Sequence, residues 1–398
     1  MNVNITDSVR YIGVDDTDLD LFEGQYDVPE GISYNSYLIM DENIAVMDTA
    51  DKRKTDEWLD KLKTSLSGKK PDYLVISHLE PDHSGSLSAF FELFPDVTIV
   101  ASAKAVSMLP QFVTLPESVK CEAKKEGDTL SLGEHELSFY MAPMVHWPEV
   151  MVSYDAKDKV LFSADGFGKF GALSLTPDIR KSDNPEVDLL EDWACEARRY
   201  YFNICGKYGG PVQSLLKKAQ GLDIEFICPL HGPILTEDLS FFTGLYDTWS
   251  SYRPETEGVF IAYASIHGNT AGGAKYLAKL LEDKGVRVAI TDLSRDDMAE
   301  AVEDAFRHDR MVLAASSYDA GVFSPMQDFL FRLGHKAYQS RKVAIVENGS
   351  WAPSAARTIK AALEGMKDVT VLDKVVTIKT TVTEDTKKEL EELAEVLK

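Results

Sequence analysis

Apolar positions along this chain follow two rhythms. In the first 250 residues, short apolar runs dominate: Ile32–Ile39 and Ile44–Asp48 around a turn at Asp41-Glu42-Asn43, then Tyr73–Ser77, Val97–Val100, Leu137–Met141, Val150–Tyr154, Val160–Ser163 and Ile224–Cys228. Such runs, bounded by turn residues, predict buried strands. Helical spacing occurs at Asp56–Leu66, in a segment ending at Phe90–Phe94, and in the amphipathic stretch Trp193–Tyr208, whose aromatics read most simply as core. A polar, proline-containing connection over Tyr246–Gly258 divides the chain into expected domains of residues 1–250 and 256–398. Beyond it, strands and helices alternate. Strands are predicted at Val259–Tyr263, Val286–Ile290, Met311–Ala315, Lys342–Val346 and Val369–Val376, and helices at Thr270–Lys284, Ala299–Phe306, Ser324–Gly334, Ala355–Met366 and Glu384–Lys398. That alternation predicts an α/β fold with a doubly wound parallel five-stranded sheet.

Composition narrows the function. The 398 residues carry a net charge of −23 and are 44% hydrophobic. The acid is spread along the chain, which disfavours nucleic acid and anionic membrane surfaces as partners. No apolar run approaches the ~18 residues of a membrane span. Met1–Asp7 has neither a basic region nor an apolar core, so a cytoplasmic protein is expected. The four cysteines, at 121, 195, 205 and 228, form no C-x-x-C pair, so a zinc ribbon, a rubredoxin-type iron site and a thioredoxin motif are all unsupported.

The densest chemistry follows the strand Tyr73–Ser77. His78-Leu79-Glu80-Pro81-Asp82-His83 holds four metal-ligand side chains in six residues, and Ser84-Gly85-Ser86 then opens a helix-like segment. Imidazole with carboxylate suits zinc or iron, and an oxygen-richer set leans toward iron or manganese. His146, Asp165 and His231 each lie just beyond the carboxyl end of a predicted strand, as His78 does. Side chains far apart in sequence can converge there. His135, His308 and His335 have no such placement and read as ordinary surface or cap residues.

H-x-E-x-D-H followed by His, Asp and His resembles the metallo-β-lactamase-like domain of the flavodiiron proteins (A-type flavoproteins), a fold with an αββα sandwich. The resemblance implies one iron held by His78, Glu80 and His146, and a second by Asp82, His83 and His231, with Asp165 bridging. Glu80 stands where the hydrolase motif H-x-H-x-D-H has a second histidine; a harder carboxylate set favours iron, which can change oxidation state where zinc cannot. The resemblance further implies that one tyrosine of the Arg198–Asn203 stretch, Tyr200 or Tyr201, reaches the diiron pocket and hydrogen-bonds substrate.

Three loops at strand ends complete the second half. Ser265-Ile266-His267-Gly268-Asn269-Thr270 ends at a helix N-terminus, where backbone N–H groups suit a phosphate. Neither Walker A nor G-x-G-x-x-G is present. Ser316-Ser317-Tyr318-Asp319-Ala320-Gly321 and Asn348-Gly349-Ser350-Trp351 follow later strands, and Trp351 suits the face of a flat ring. This half resembles flavodoxin, and its loops match the FMN-binding loops of flavodiiron proteins, except that His267 stands where a hydroxyl residue is more usual. Together the resemblances imply an oxidoreductase with FMN and two iron ions per chain. It would reduce dioxygen to water, nitric oxide to nitrous oxide, or both. An external donor, rubredoxin or a similar small carrier, would feed it. A head-to-tail homodimer, alone or paired into a dimer of dimers, is expected. The competing readings are a zinc hydrolase of metallo-β-lactamase type carrying a flavodoxin module, and a flavin electron carrier whose first half only binds partners.

Overall fold

The structure, a computed structural model, describes residues 3–173 and 189–398. It falls into two compact units, Met1–Tyr201 with Gly210–Asp247, and Phe202–Gly209 with Thr248–Lys398. No helix among the described residues is long and apolar enough to cross a membrane.

The first unit is an αββα sandwich. One sheet runs in the order Val3–Asn4, Val9–Tyr11, Tyr37–Ile39, Ala45–Met47, Tyr73–Ile76, Thr98–Ser102, Lys120–Lys124. The other runs Thr129–Ser131, Glu136–Met141, Met151–Asp155, Val160–Phe162, Phe226–Cys228, Leu235–Thr236. Their inner faces meet in one core that includes Val9, Ile39, Met47 and Val75 from the first sheet and Phe139, Met151, Phe162 and Cys228 from the second. Alternate residues of each strand supply this layer, as pleated sheets packed face to face require. Tyr73–Ile76 pairs in parallel with both neighbours, Ala45–Met47 and Thr98–Ser102, so its carboxyl end opens onto the sheet's rim.

The first unit departs from the sequence reading in several places. Ile32–Ile39 is not one strand: Ile32–Tyr34 pairs with Val14–Asp16, and Tyr37–Ile39 belongs to the seven-stranded sheet. The break lies at Asn35-Ser36, both buried. Their side chains are spent on backbone carbonyls, Asn35 Nδ2 on Pro229 O (2.8 Å) and Gly232 O (2.7 Å), Ser36 Oγ on Asp48 O (2.9 Å). The ligand segment is partly helical, because Pro81 starts the short helix Pro81–Ser84 at the position where its missing N–H costs nothing. The amphipathic stretch runs as the helix Leu189–Ile204, followed by a 3₁₀ turn at Gly206–Tyr208. The supposed connection from Tyr246 is helical to Ser250, since Tyr246 and Trp249 are core residues of Leu239–Ser250. His135 is buried rather than superficial, its Nδ1 2.8 Å from Asp155 Oδ2, while His308, also buried, is the C-cap of the helix Met298–Arg307, its Nδ1 2.9 Å from Asp304 O.

The second unit is built on five parallel strands in the order Val288–Asp292, Thr256–Ala264, His308–Tyr318, Lys342–Asn348, Thr370–Ile378, with a sixth, two-residue strand, Gly321–Val322, paired antiparallel to His308–Tyr318 off this path. Numbered along the chain this is 2-1-3-4-5, the flavodoxin-type doubly wound order. Helices Asn269–Asp283 and Glu384–Leu397 cover one face through Leu277, Leu281, Leu390 and Leu393. Gly273 lets the first of them sit close, since a Cβ there would lie 2.7 Å from Ile378 Cδ1. Arg341, 2% exposed, ties the start of this unit together. Its guanidinium donates to the carbonyls of His308 (2.8 Å), Tyr252 (2.7 Å) and Phe306. Arg341→Ala orphans these buried acceptors and should lower the unfolding free energy of this unit by roughly 3 kcal/mol, read by denaturant titration of flavin-free protein.

Candidate metal centre and flavin pocket

All seven metal candidates converge in the first unit. His78 leaves the end of Tyr73–Ile76, His146 the end of Glu136–Met141, Asp165 the end of Val160–Phe162 and His231 the end of Phe226–Cys228. They sort into two groups, His78, Glu80 and His146 with Asp165, and Asp82 with His83 and His231. Within the first, His146 Nε2 lies 3.0 Å from Glu80 Oε2 and 3.2 Å from Asp165 Oδ2, and His78 Nε2 lies 3.2 and 3.6 Å from the same atoms. Within the second, His231 Nε2 lies 3.2 Å from Asp82 Oδ2, and His83 Nε2 lies 3.4 Å from it. Asp165 joins them: Oδ2 faces the first group, while Oδ1 lies 3.3 Å from His83 Nε2. That is the geometry of a bridging carboxylate.

These residues fit a pair of cations. Both oxygens of Asp82 and Oδ1 of Asp165 are buried without a hydrogen-bond partner among the described residues. His83 Nε2 and His231 Nε2 face each other at 3.1 Å, close enough for one imidazole to donate to the other, or for both to turn their lone pairs to a cation between them. Buried charge on this scale persists only when paired or when it coordinates a metal. The ionisation pattern agrees. Burial pulls the His146 imidazole down, but hydrogen bonds with Asp165 and Glu80 carry it up to about 9. Burial pushes Glu80 up, yet His146 and His78 hold it at about 2. Asp165 stays well below the carboxylate range, since His78, His146 and His83 outweigh its burial.

A pH dependence follows. A group raised from 6.5 to about 9 stabilises the metal-free fold fully below 6.5 and loses that contribution as pH rises through about 9. A metal must displace that proton. His78 and His83 are also raised above their ordinary value, so the affinity for a divalent probe should rise by about tenfold or more per pH unit from neutrality upward. Buffered cobalt titrations at several pH values check this.

The carboxylate side of the centre opens outward. A cavity of about 260 Å³ is lined by both Glu80 and Asp82, with Leu19, Leu21 and Phe22 as apolar lips and Tyr34 and Arg53 as polar wall. The imidazoles lie on the closed side. Of the two tyrosine candidates, the Tyr200 ring lies 5.6 Å from the His231 ring and 5.1 Å from Phe170. Tyr201 packs against Tyr246 instead, at 5.2 Å. The sequence reading missed Glu149, whose Oε1 lies 2.7 Å from His78 Nδ1, and Ser33, whose carbonyl lies 2.7 Å from His231 Nδ1. Glu149 lies three residues past a histidine candidate, and that spacing was the available signal; nothing local marks Ser33.

In the second unit, a cavity of about 640 Å³ sits at the carboxyl ends of the parallel strands. Its wall takes in Ser265, Ile266, His267, Asn269 and Thr270, Ser316 to Ala320, and Asn348 to Trp351; Gly268 and Gly321 shape the loops behind it. Arg357 and Thr380 also line it and were not anticipated. Gly268 has φ +88°, and the 15-residue helix that follows has no side-chain cap, which leaves its first N–H groups for an anion. The hydroxyls of Thr270, in the first turn of that helix, and Ser316, near the end of the strand His308–Tyr318, lie 2.9 Å apart. Trp351 is 92% exposed at the rim, free to cover a flat ring. The donor set and the uncapped helix fit a flavin phosphate.

Residues 32–232 match the family described as ODP family beta lactamase. The chain is 32% identical over 289 residues to putative diflavin flavoprotein A 2 of Synechocystis, covering 72% of this chain and 48% of that protein, so it spans about half the length of this relative. It is 28% identical over 369 residues to the anaerobic nitric oxide reductase flavorubredoxin of Vibrio vulnificus, covering 91% and 73%. Among solved structures, rubredoxin oxygen:oxidoreductase from Desulfovibrio gigas superposes with a TM-score of 0.90 at 27% identity, covering 100% of this chain and 98% of that one. A flavo di-iron protein variant from Thermotoga maritima gives 0.89 at 26%, covering 100% and 98%. With its β-lactamase-like half matched and its whole length superposed on such structures, this chain belongs to the flavodiiron (A-type flavoprotein) family.

Proposed function

We propose that the protein is a soluble oxidoreductase in which FMN feeds electrons to two iron ions, and dioxygen is reduced to water, nitric oxide to nitrous oxide, or both. The observation that carries this is Asp165, which turns one oxygen to each of two ligand groups in a chain that also holds a flavodoxin-type pocket. His78, Glu80 and His146 would hold one iron, Asp82, His83 and His231 the other. When bound, reduced FMN supplies two electrons and each ferrous iron one, the four that dioxygen requires. The relatives' names, a nitric oxide reductase and a rubredoxin oxygen:oxidoreductase, support the same reaction class.

The chain's own residues have definite tasks in this reading. Glu80 and Asp82 present their carboxylates to the small apolar-lipped cavity, which suits a diatomic gas better than a bulky hydrolase substrate. Tyr200, whose ring lies 5.6 Å from that of His231, is the tyrosine that would hydrogen-bond substrate, from the imidazole side rather than from the lining of that cavity. Loop Ser265–Thr270 would hold the FMN phosphate at a helix N-terminus, and Trp351 would cover the flavin ring. The zinc-hydrolase reading is disfavoured, because Glu80 replaces the second histidine and the named relatives are electron-transfer enzymes. Functional domains of residues 1–250 and 256–398, a rubredoxin-like donor, a cytoplasmic location and a head-to-tail homodimer belong to the same proposal. Metal and flavin analysis tests it. Two irons and one FMN per chain are expected; stoichiometric zinc with hydrolytic activity would contradict it.

The dimer has its own test. A chain carrying His83→Ala is co-expressed with one unable to hold FMN. If each flavin serves the partner's metal centre, mixed dimers recover part of the activity, because one flavin and one centre remain intact across the interface. Verified mixed dimers without activity would exclude the cross-chain arrangement.

A further inference from the structure

The two metal positions are backed differently. Behind the first stands a buried carboxylate: Glu149 Oε1 lies 2.7 Å from His78 Nδ1, both side chains fully buried, and also accepts the Leu79 N–H at 3.0 Å. Glu149 lies three residues beyond His146, so one loop supplies a ligand of this position and grips the other imidazole. The loop is pinned in turn by Ser102, whose hydroxyl donates to the Glu149 carbonyl at 2.7 Å. Glu149 Oε2 is buried without a hydrogen-bond partner among the described residues. An orphaned buried oxygen costs about 1–3 kcal/mol, a cost that packing alone does not explain.

Among the described residues, no carboxylate hydrogen-bonds an imidazole of the second position in this way. His231 Nδ1 lies 2.7 Å from a neutral acceptor, the Ser33 carbonyl, and His83 Nδ1 has no partner among the described residues. Asp48 is the nearby buried acid and feels the His83 charge, but its Oδ1 accepts the Ser77 N–H at 2.7 Å and it makes no hydrogen bond with His83 Nδ1. A carboxylate on the far nitrogen fixes a metal-binding imidazole as the Nε2 ligand, orients its ring and raises its basicity; a carbonyl does so without charge.

We infer that Glu149 is a positioning residue for one metal position alone: it holds His78 as an Nε2 ligand, so that the ion at His78, Glu80 and His146 depends on it and the ion at Asp82, His83 and His231 does not. This rests on the two-metal reading of the centre, but not on iron or on gas reduction.

Cobalt(II) serves as the probe, added to metal-free full-length protein. His83→Ala leaves the first position to be read, and Glu80→Ala the second. Adding Glu149→Ala to the His83→Ala chain should weaken cobalt binding 10–100-fold, with Glu149→Gln falling between, because it keeps an acceptor and loses the charge. Adding either to the Glu80→Ala chain should cost clearly less than in the His83→Ala chain, since Glu149 hydrogen-bonds His78 and the Leu79 N–H and no ligand of the second position. Equal losses in both backgrounds, or none in the first, would overturn the inference. The unaltered protein gives a second reading that needs no variant. Loaded with diamagnetic zinc, it should show a slowly exchanging, strongly downfield His78 Nδ1–H proton resonance; its absence would overturn the inference as well. Failure of the functional proposal would appear separately, as the wrong native metal or no gas consumption, with these cobalt and zinc results unchanged.

Discussion

Asp165→Ala should strip both metal ions from the protein at once. Each ligand group uses one oxygen of this carboxylate, so its loss lowers the ligand count of both positions. It also leaves His78, His83 and His146 converging on a site without the anion that balanced them. Metal content measured on purified protein should fall from two ions per chain toward none, and turnover by at least about 10³-fold, as for other groups acting as a unit. Glu80→Ala is the control, since Glu80 serves the first group only and one ion should remain. Flavin content should be unchanged in both variants, because every flavin-pocket residue lies in the other unit. An Asp165→Ala protein that retains two ions would mean that the carboxylate does not bridge.

Gly268→Val should remove most of the flavin while sparing the metals. The residue sits at φ +88°, a conformation that a β-branched side chain resists at a cost of about 1–3 kcal/mol. The space around it is open, so the effect is backbone strain rather than collision. A loop relaxed to negative φ swings the first N–H groups of the helix Asn269–Asp283 away from the phosphate. The corresponding loss of FMN affinity is about 5–150-fold, measured by quenching of flavin fluorescence. Unchanged affinity would show that this loop does not carry the phosphate.

What the sequence revealed, and what it hid, follows contact distance along the chain. His78, Glu80, Asp82 and His83 were legible as candidates because four ligand-type side chains lie in six residues, and the parallel sheet of the second unit because its central strands, Thr256–Ala264, His308–Tyr318 and Lys342–Asn348, are long and apolar. His146, Asp165 and His231 could be read because each follows a strand. The break at Asn35-Ser36 could not, since Asn35 is satisfied by carbonyls 194 and 197 residues away. Glu149 was hidden for the same reason: its partner His78 is 71 residues distant. The two- and three-residue strands between Val3 and Asp27 are too short to show a period. Gly209–Ala219 begins Gly-Gly-Pro, which reads as a breaker, although proline is well placed in a helix's first turn. Choosing between Tyr200 and Tyr201 needed the helix's rotation, which adjacent aromatic residues do not specify.

The central claim is that flavin and diiron centre act as one electron store for a diatomic substrate. The measurement that tests it most directly is a single turnover of fully reduced, iron-loaded protein. It is mixed anaerobically with limiting dioxygen or nitric oxide while flavin oxidation and gas are followed together. The account predicts flavin oxidation on the turnover timescale, with about one dioxygen reduced to water per chain, or two nitric oxide molecules coupled for every two electrons withdrawn. A reduced flavin that stays reduced in the presence of both gases, in protein shown to hold two irons and one FMN per chain, would contradict it.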